Sequence, residues 1–471
     1  MRHRRGWSVS ATRVVVLAAL VVGAAACSSS SHSAGSTTTG ASQTTSAAAS
    51  TPAASTAPCT TPVKLGVSDS SDAASASAGV GYSKTQAIAN YQATEKQLYG
   101  VGVTDLNAHG GLGGCPVSLV FFDFTTTSQT ESYDQVSQQE CVDFSQDNHV
   151  FAAVPETAEQ WAMVPCLANA GVPVVIASQT VEGGFPTMKT DYATGDIYAP
   201  NTIAWDRLGA EIDLFNKYGF FDPGSKVGII EVNDGRGVDS NVVDNLWKPA
   251  LAALNIPVAS TFSGPRFNSI TDASVFAQDM GNAILQFKSA GVNHILFAPG
   301  AGGYLYFFQL AADTQHYAPR IAIDTTDRPA QDVDAKSPSS TGMMVVSWDS
   351  IDYSSQATKP TDNPSNAARD KCDALYSSAA AADKVPVEGL YGWCDTLNFL
   401  QAALGKTGGP PTLAALQAGV AKLGTTFQSA SGFGPTSFSA TVRDGATEAR
   451  MMQWDPTITG FKYVSPPEQV P

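Results

Sequence analysis

The chain has 471 residues, 43% of them hydrophobic, and a formal net charge of −15. That is more apolar material than one compact core usually holds, so two lobes are expected. The acidic balance excludes a folded body that works on nucleic acid or on anionic membrane surfaces.

The first segment in chain order is basic, with Arg2, Arg4, Arg5 and Arg13. An apolar run from Val14 to Val22 follows, then Gly23, Ala24, Ala25, Ala26 and Cys27. This is the layout of a secretory signal, and the run is too short to span a bilayer. The small residues ending in Cys27 resemble the lipobox of bacterial lipoproteins. That resemblance implies removal of residues 1–26 and acylation of Cys27, which would hold the protein to a membrane through its lipid chains. Losing residues 1–26 removes four arginines and no acid, leaving 23 basic and 42 acidic side chains and a charge of −19. Residues 28–58 are almost entirely Ser, Thr, Ala, Gly and Pro. Such a stretch cannot bury enough apolar surface to offset its ordering entropy, so 27–58 reads as a flexible tether. The folded body is expected outside the cell, lipid-anchored on the extracytoplasmic face of the cell membrane.

Short apolar runs then alternate with helical stretches. The strand candidates are Val63–Val67, Val117–Phe122, Val150–Val154, Val174–Ala177, Val227–Val232, Ile256–Thr261, His294–Ala298 and Ile321–Ile323. Helices are expected over Glu131–Asp147, Ala158–Ala170, Ser240–Leu254, Ala273–Ala290 and Tyr304–Thr314. The alternation predicts an α/β fold with parallel sheets covered on both faces, and the continuous apolar character of the strands agrees. The pattern restarts near Asn201, which predicts two doubly wound Rossmann-like lobes facing a shared crevice. Near the C-terminus, Phe438 to Val442, the turn Arg443-Asp444-Gly445, and Thr447 to Trp454 suggest a β-hairpin or meander.

Apart from Cys27, the cysteines are Cys59, Cys115, Cys141, Cys166, Cys372 and Cys394. Outside the cell these suggest up to three disulfides, for which sequence alone allows fifteen pairings. Local geometry favours one. Cys59 and Cys115 each precede a strand, and parallel neighbours would set them side by side. Cys141 and Cys166 lie on successive helices, as do Cys372 and Cys394. No CxxC pair occurs, and His109, His149, His294 and His316 are scattered, so no metal site or cofactor is expected.

Several stretches, taken in order, resemble the type I periplasmic binding proteins, and most closely the branched-chain amino acid (Leu/Ile/Val) substrate-binding family of ABC transporters. They are Asp105-Leu106-Asn107-Ala108-His109-Gly110-Gly111-Leu112, Gly171-Val172-Pro173-Val174-Val175, Lys226-Val227-Gly228-Ile229-Ile230, Thr341-Gly342-Met343-Met344-Val345-Val346 and Phe433-Gly434-Pro435-Thr436-Ser437-Phe438. The resemblance implies two lobes joined by a three-strand hinge. Lobe one would comprise 59–202 with 342–432, lobe two 203–341 with 433–464, and 465–471 a tail. It implies capture of a small polar ligand, an amino acid or related carboxylate, by hinge closure, and delivery to an ABC permease. A ligand sensor of the same fold, signalling to a membrane partner, is the alternative.

The resemblance also points to ligand contacts after strand ends. Thr157, with Ala158 beside it, falls where the family binds the ligand carboxylate through a hydroxyl, although Thr157 also fits a helix N-cap. Ser178, Gln179 and Thr180 follow the strand at Val174, and Thr180 matches a second family hydroxyl. In the first loop, longer than the family norm, Ser71, Asp72 and Tyr82 are within reach of the crevice. Arg236 stands where the family has an aromatic, and an arginine there suits a carboxylate or phosphate. Gly300 lets the backbone approach the ligand. Asp324 lies near the family's carboxylate for the ligand ammonium, with Thr325 competing for that role. Neither HExxH nor GxSxG occurs, and no pair of acids reads as catalytic, so an enzyme is not expected.

Overall fold

The computed structural model describes residues 59, 61–69, 86–123, 131–155, 163–176, 197–201, 203, 205–233, 238–266, 268–269, 272–327, 329, 333–350, 366–377 and 387–470. The expected signal segment, Cys27 and the expected tether lie outside them. Two sheets organise the described chain. Strands β1 (Val63–Asp69), β2 (Val117–Asp123), β3 (Ala152–Val154), β4 (Val174–Val175) and β5 (Ile197–Tyr198) form a parallel sheet in the order β2-β1-β3-β4-β5. The second sheet has the order β12-β11-β10-β9-β8-β6-β7. It contains β6 (Val227–Asn233), β7 (Val258–Pro265), β8 (His294–Phe297), β9 (Arg320–Asp324), β10 (Met344–Ser347), β11 (Glu448–Asp455) and β12 (Gly460–Tyr463). A short strand, β13 (Glu468–Gln469), pairs β11 outside that order.

The expected α/β class with parallel sheets is what forms. The helices are α1 (Gln86–Ala108), α2 (Tyr133–Val142), α3 (Met163–Asn169), α4 (Ala210–Lys217), α5 (Val238–Val242), α6 (Lys248–Ala253), α7 (Ala273–Ala290), α8 (Leu305–Thr314), α9 (Ala367–Ser377), α10 (Val387–Gly405) and α11 (Leu413–Val420). They cover the sheets in three apolar layers. One packs α1, α9, α10 and α11 side chains such as Leu98, Trp393 and Leu416 against Leu65 and Val67 of β1. A second joins the opposite face of the first sheet to α4 and to Val227 and Ile229 of β6, through Phe144, Ile197, Ile212 and Trp247. The third covers the far face of the second sheet with Phe276, Phe287 and Phe308. Gly66 shows why the sequence must be small at one point: a Cβ there would stand 2.8 Å from the Phe144 ring.

Three disulfides join Cys59 to Cys115, Cys141 to Cys166, and Cys372 to Cys394, the pairing that local geometry favours. The first sits beside the paired starts of β1 and β2, where Val63 stands opposite Val117. The second ties α2 to α3 across 25 residues, with Cys141 fully buried. Cys141→Ala with Cys166→Ala is expected to cost about 3 kcal/mol, the loop-closure contribution for such a span, read from denaturant unfolding. A loss below about 1 kcal/mol would show that packing alone holds the two helices.

Two expectations are corrected. The terminal hairpin is β11 with β12, antiparallel, with Trp454 opposite Phe461. Phe438–Val442 is no strand, because the Ser439 hydroxyl captures the N–H groups of Thr441 and Val442 and closes a local turn. The turn of the actual hairpin is set by Asp455, whose Oδ1 accepts from the N–H of Thr457 at 2.8 Å. Met344–Ser347, expected with the first lobe, is hydrogen-bonded between β9 and β11 in the second sheet. Its fully buried apolar side chains find partners on both faces there. Among the described residues no helix is long and apolar enough to cross a membrane.

Candidate functional site

Open α/β sheets bind ligands outside the carboxyl ends of their strands. In this fold the two sets of ends face each other. Asp134 lies in the first turn of α2, beyond the end of β2, and its Oδ1 is 2.6 Å from Nη2 of Arg266, just past β7. The Asp134 N–H donates to Oδ1 of Asn268 at 3.3 Å. Toward the opposite sheet edges, Nδ2 of Asn201, after β5, donates to Oδ2 of Asp349, after β10, at 3.5 Å. Both contacts join residues past strand ends of one sheet to residues past strand ends of the other.

Gly300 and Asp324 are brought to adjacent strand ends, after β8 and at the end of β9. Gly300 is exposed and has φ +95°, a backbone conformation that suits glycine. Asp324 is buried, and its Oδ1 accepts from the N–H of Thr326 at 2.8 Å and from the Thr326 hydroxyl. It thereby shapes its own turn. The Thr325 hydroxyl is turned to the fold, accepting from the N–H of Trp348 at 3.0 Å. The other expected contacts, Ser71, Asp72, Tyr82, Thr157, Ala158, Ser178, Gln179, Thr180 and Arg236, lie outside the described residues.

The chain passes between the sheets three times, and buried polar groups bind these passages together. Asp395 on α10 is fully buried. Its carboxylate accepts from the hydroxyls of Ser429 and Ser431, both at 2.6 Å, and from the N–H groups of Ala430 at 2.5 Å and Ser431 at 3.2 Å. Burial pushes its carboxyl up while those hydrogen bonds pull it down. Arg369 adds a bond from Nε to the Ala430 carbonyl at 2.9 Å, and Asn366 one from Nδ2 to the Ser429 carbonyl at 2.7 Å. The segment so held pairs with the chain leaving β10, where the N–H of Ser350 donates to the Ser431 carbonyl at 2.9 Å. A third link runs from Ala199, whose N–H donates to the Arg443 carbonyl at 2.9 Å. Trp348, next to β10, donates from Nε1 to the buried Glu211 at 3.1 Å.

A second buried carboxyl lies on α2, against the end of β1. Val136, Glu140 and Phe144 recur every four residues, the spacing of a core stripe, with an acid in the middle. The Ser68 hydroxyl, at the end of β1, donates to Glu140 Oε1. Burial raises the Glu140 carboxyl to about 8, outweighing the Ser68 hydrogen bond, and Asp143 adds to the rise. Glu140 Oε2 and the Ser137 hydroxyl one turn earlier are buried without hydrogen-bond partners. None of Asp134, Glu140, Arg266 or Asp395 was expected from sequence. The signal was there for both carboxyls, an acid on an apolar stripe: Asp395 stands between Tyr391 and Phe399 as Glu140 stands between Val136 and Phe144.

No protein-family model matches the sequence, and no curated protein matches it. Solved structures do match the fold. An ABC transporter substrate-binding protein from Desulfitobacterium hafniense, in complex with leucine, is 13% identical with a TM-score of 0.56, over 86% of this chain and 100% of that one. A leucine-binding protein from Thermotoga maritima is 13% identical with a TM-score of 0.58, over 86% and 98%. A solute-binding protein of an ABC transporter from R. palustris, in complex with 4-hydroxybenzoate, is 15% identical with a TM-score of 0.59, over 87% and 98%. The chain therefore has the fold of the type I periplasmic binding proteins.

Proposed function

We propose that this chain is a lipid-anchored, extracytoplasmic solute-binding protein and not an enzyme. Its two lobes close on a small polar ligand, an amino acid or related carboxylate, and the closed form docks on an ABC permease. The observation that carries this reading is the opposed pair of sheets, one parallel and one mainly parallel, strand ends facing strand ends, with all three chain passages gathered at one side. That is the layout in which rigid lobes rotate about a few connecting residues. The passages near 199–201, 347–350 and 431–445 form the hinge in this reading, with the second crossing after Ser347. The fold neighbours solved in complex with leucine and with 4-hydroxybenzoate support a carboxylate ligand. Thr157, Thr180 and Arg236 remain its proposed contacts, and Cys27 with its tether the proposed anchor.

The test is a thermal-shift screen with leucine, 4-hydroxybenzoate, 3,4-dihydroxybenzoate, small amides and sugars, with calorimetry on hits. A ligand present at a hundred times its Kd adds about 2.7 kcal/mol to stability, seen as a rise of a few degrees in Tm. At least one carboxylate is expected to give it. No shift from any compound would sink the solute-binding reading.

A further inference from the structure

The strand orders put hinge and mouth at opposite ends of the crevice. In the first sheet β5, which leads to Asn201, is one edge and β2 is the other. In the second, β10 and β11 lie toward one edge and β7 forms the other. The three passages gather on the β5, β10 and β11 side. Asp134 and Arg266 stand on the β2 and β7 side, as far from the passages as the sheets allow. We propose that the Asp134–Arg266 ion pair, backed by Asn268, is a latch across the mouth of the crevice that sets how much of the ligand-free protein is closed. This rests on the lobe-closure reading above.

Each half of the latch is held in place by its own lobe. The helix carrying Asp134 starts with a capping box, in which the Ser132 hydroxyl accepts from the N–H of Gln135 and the Gln135 side chain accepts from the N–H of Ser132. An acid in the first turn is further favoured by the helix dipole. The Asp134 N–H is one of the amides that a helix start leaves without an internal partner, and Asn268 of the opposite lobe supplies the acceptor. Asn268 in turn donates its own N–H to Oδ2 of Asp272 at 3.0 Å, just ahead of α7. Both cross-crevice bonds exist only when the lobes meet.

The latch is poised and not locked. The Asp134 side chain is 42% exposed and that of Arg266 16%, so water and salt weaken the pair. Nη1 of Arg266 is buried without a hydrogen-bond partner. Closure thus strips water from a donor that gains no acceptor, an unfavourable contribution opposing the ion pair.

The experiment measures distances between spin labels in the full chain carrying Cys27→Ser, with Gln138→Cys on α2 and Gln278→Cys on α7, both exposed. No ligand is added. The unaltered pair is expected to show a short-distance population. Arg266→Ala and Asp134→Asn should each lower its fraction about threefold, the effect of one partly exposed ion pair. Asp134→Arg combined with Arg266→Asp should restore part of it. Salt at about 1 M should bring the parent protein toward the single variants and leave Arg266→Ala unchanged. An unchanged distribution in Arg266→Ala, no recovery in the swap, or no short population in the parent would overturn the latch. If circular dichroism shows Arg266→Ala unfolded, Asp134→Asn at its half-exposed site carries the decision. Because no ligand enters, a failed solute screen and a failed latch are separate results.

Discussion

Asp395→Ala is expected to lower the unfolding free energy by about 3–5 kcal/mol. The side chain is fully buried and gathers four hydrogen bonds from Ser429, Ala430 and Ser431. Alanine would leave two backbone N–H groups without that acceptor, away from water, with a small void beside them. Asp395→Asn should be only partly tolerated, because its NH2 group would face donors. Urea unfolding measures both. A loss below about 1 kcal/mol for Asp395→Ala would mean that Arg369 and Asn366 hold the segment by themselves. The same variant tests the hinge reading, since these bonds fix the segment that returns toward β11. Added loss of a single interlobe distance would accompany the fall in stability.

Glu140→Gln is expected to change the pH dependence of stability. A carboxyl raised to about 8 in the folded state holds its proton where the unfolded chain, near 4.5, has released it. The folded state then binds more protons than the unfolded one between those values, so stability falls as pH rises through that window. The loss from this group should approach about 4 kcal/mol by pH 8 to 9 and vanish below about pH 4.5. Glutamine cannot titrate. The variant should therefore match the parent within about 1 kcal/mol at pH 4.5 and exceed it by several kcal/mol at pH 9. Denaturant unfolding across pH 4.5 to 9 reads the difference. Parallel curves would mean that Glu140 ionises in the fold with no such penalty. Asp395 also has a raised carboxyl, and it is common to both proteins, so it drops out of the comparison.

Legibility followed burial. Most strands of both sheets were readable because parallel strands covered on two faces are largely apolar, as in residues 227–232 and 295–297, whereas β5, β10 and β12 were not singled out as strands. The helix Ala273–Ala290 was readable to the residue, from its apolar spacing and the left-handed Gly291 that ends it. Cys59 with Cys115 was readable once β1 and β2 were placed side by side. Phe438–Val442 misled because its apolar residues look strand-like, while the Ser439 hydroxyl offers its neighbours a closer acceptor than any strand. Of the candidate contacts, Asp324 was placed at the right strand end, yet its carboxylate is engaged by Thr326.

By itself the sequence determined the class: two rounds of alternating strands and helices, and cysteines spaced for local bridges. These are properties of residues near one another in the chain, where periodicity and propensity act directly. Only the tertiary structure decided which groups meet across the crevice. Asp134 and Arg266 are 132 residues apart in sequence, and no local rule links them. Asp395 reads as one acid on an apolar helix until the Ser429–Ser431 segment folds onto it. Ion pairs and buried networks of this kind depend on where distant backbone comes to rest, and that is set by packing of the three apolar layers.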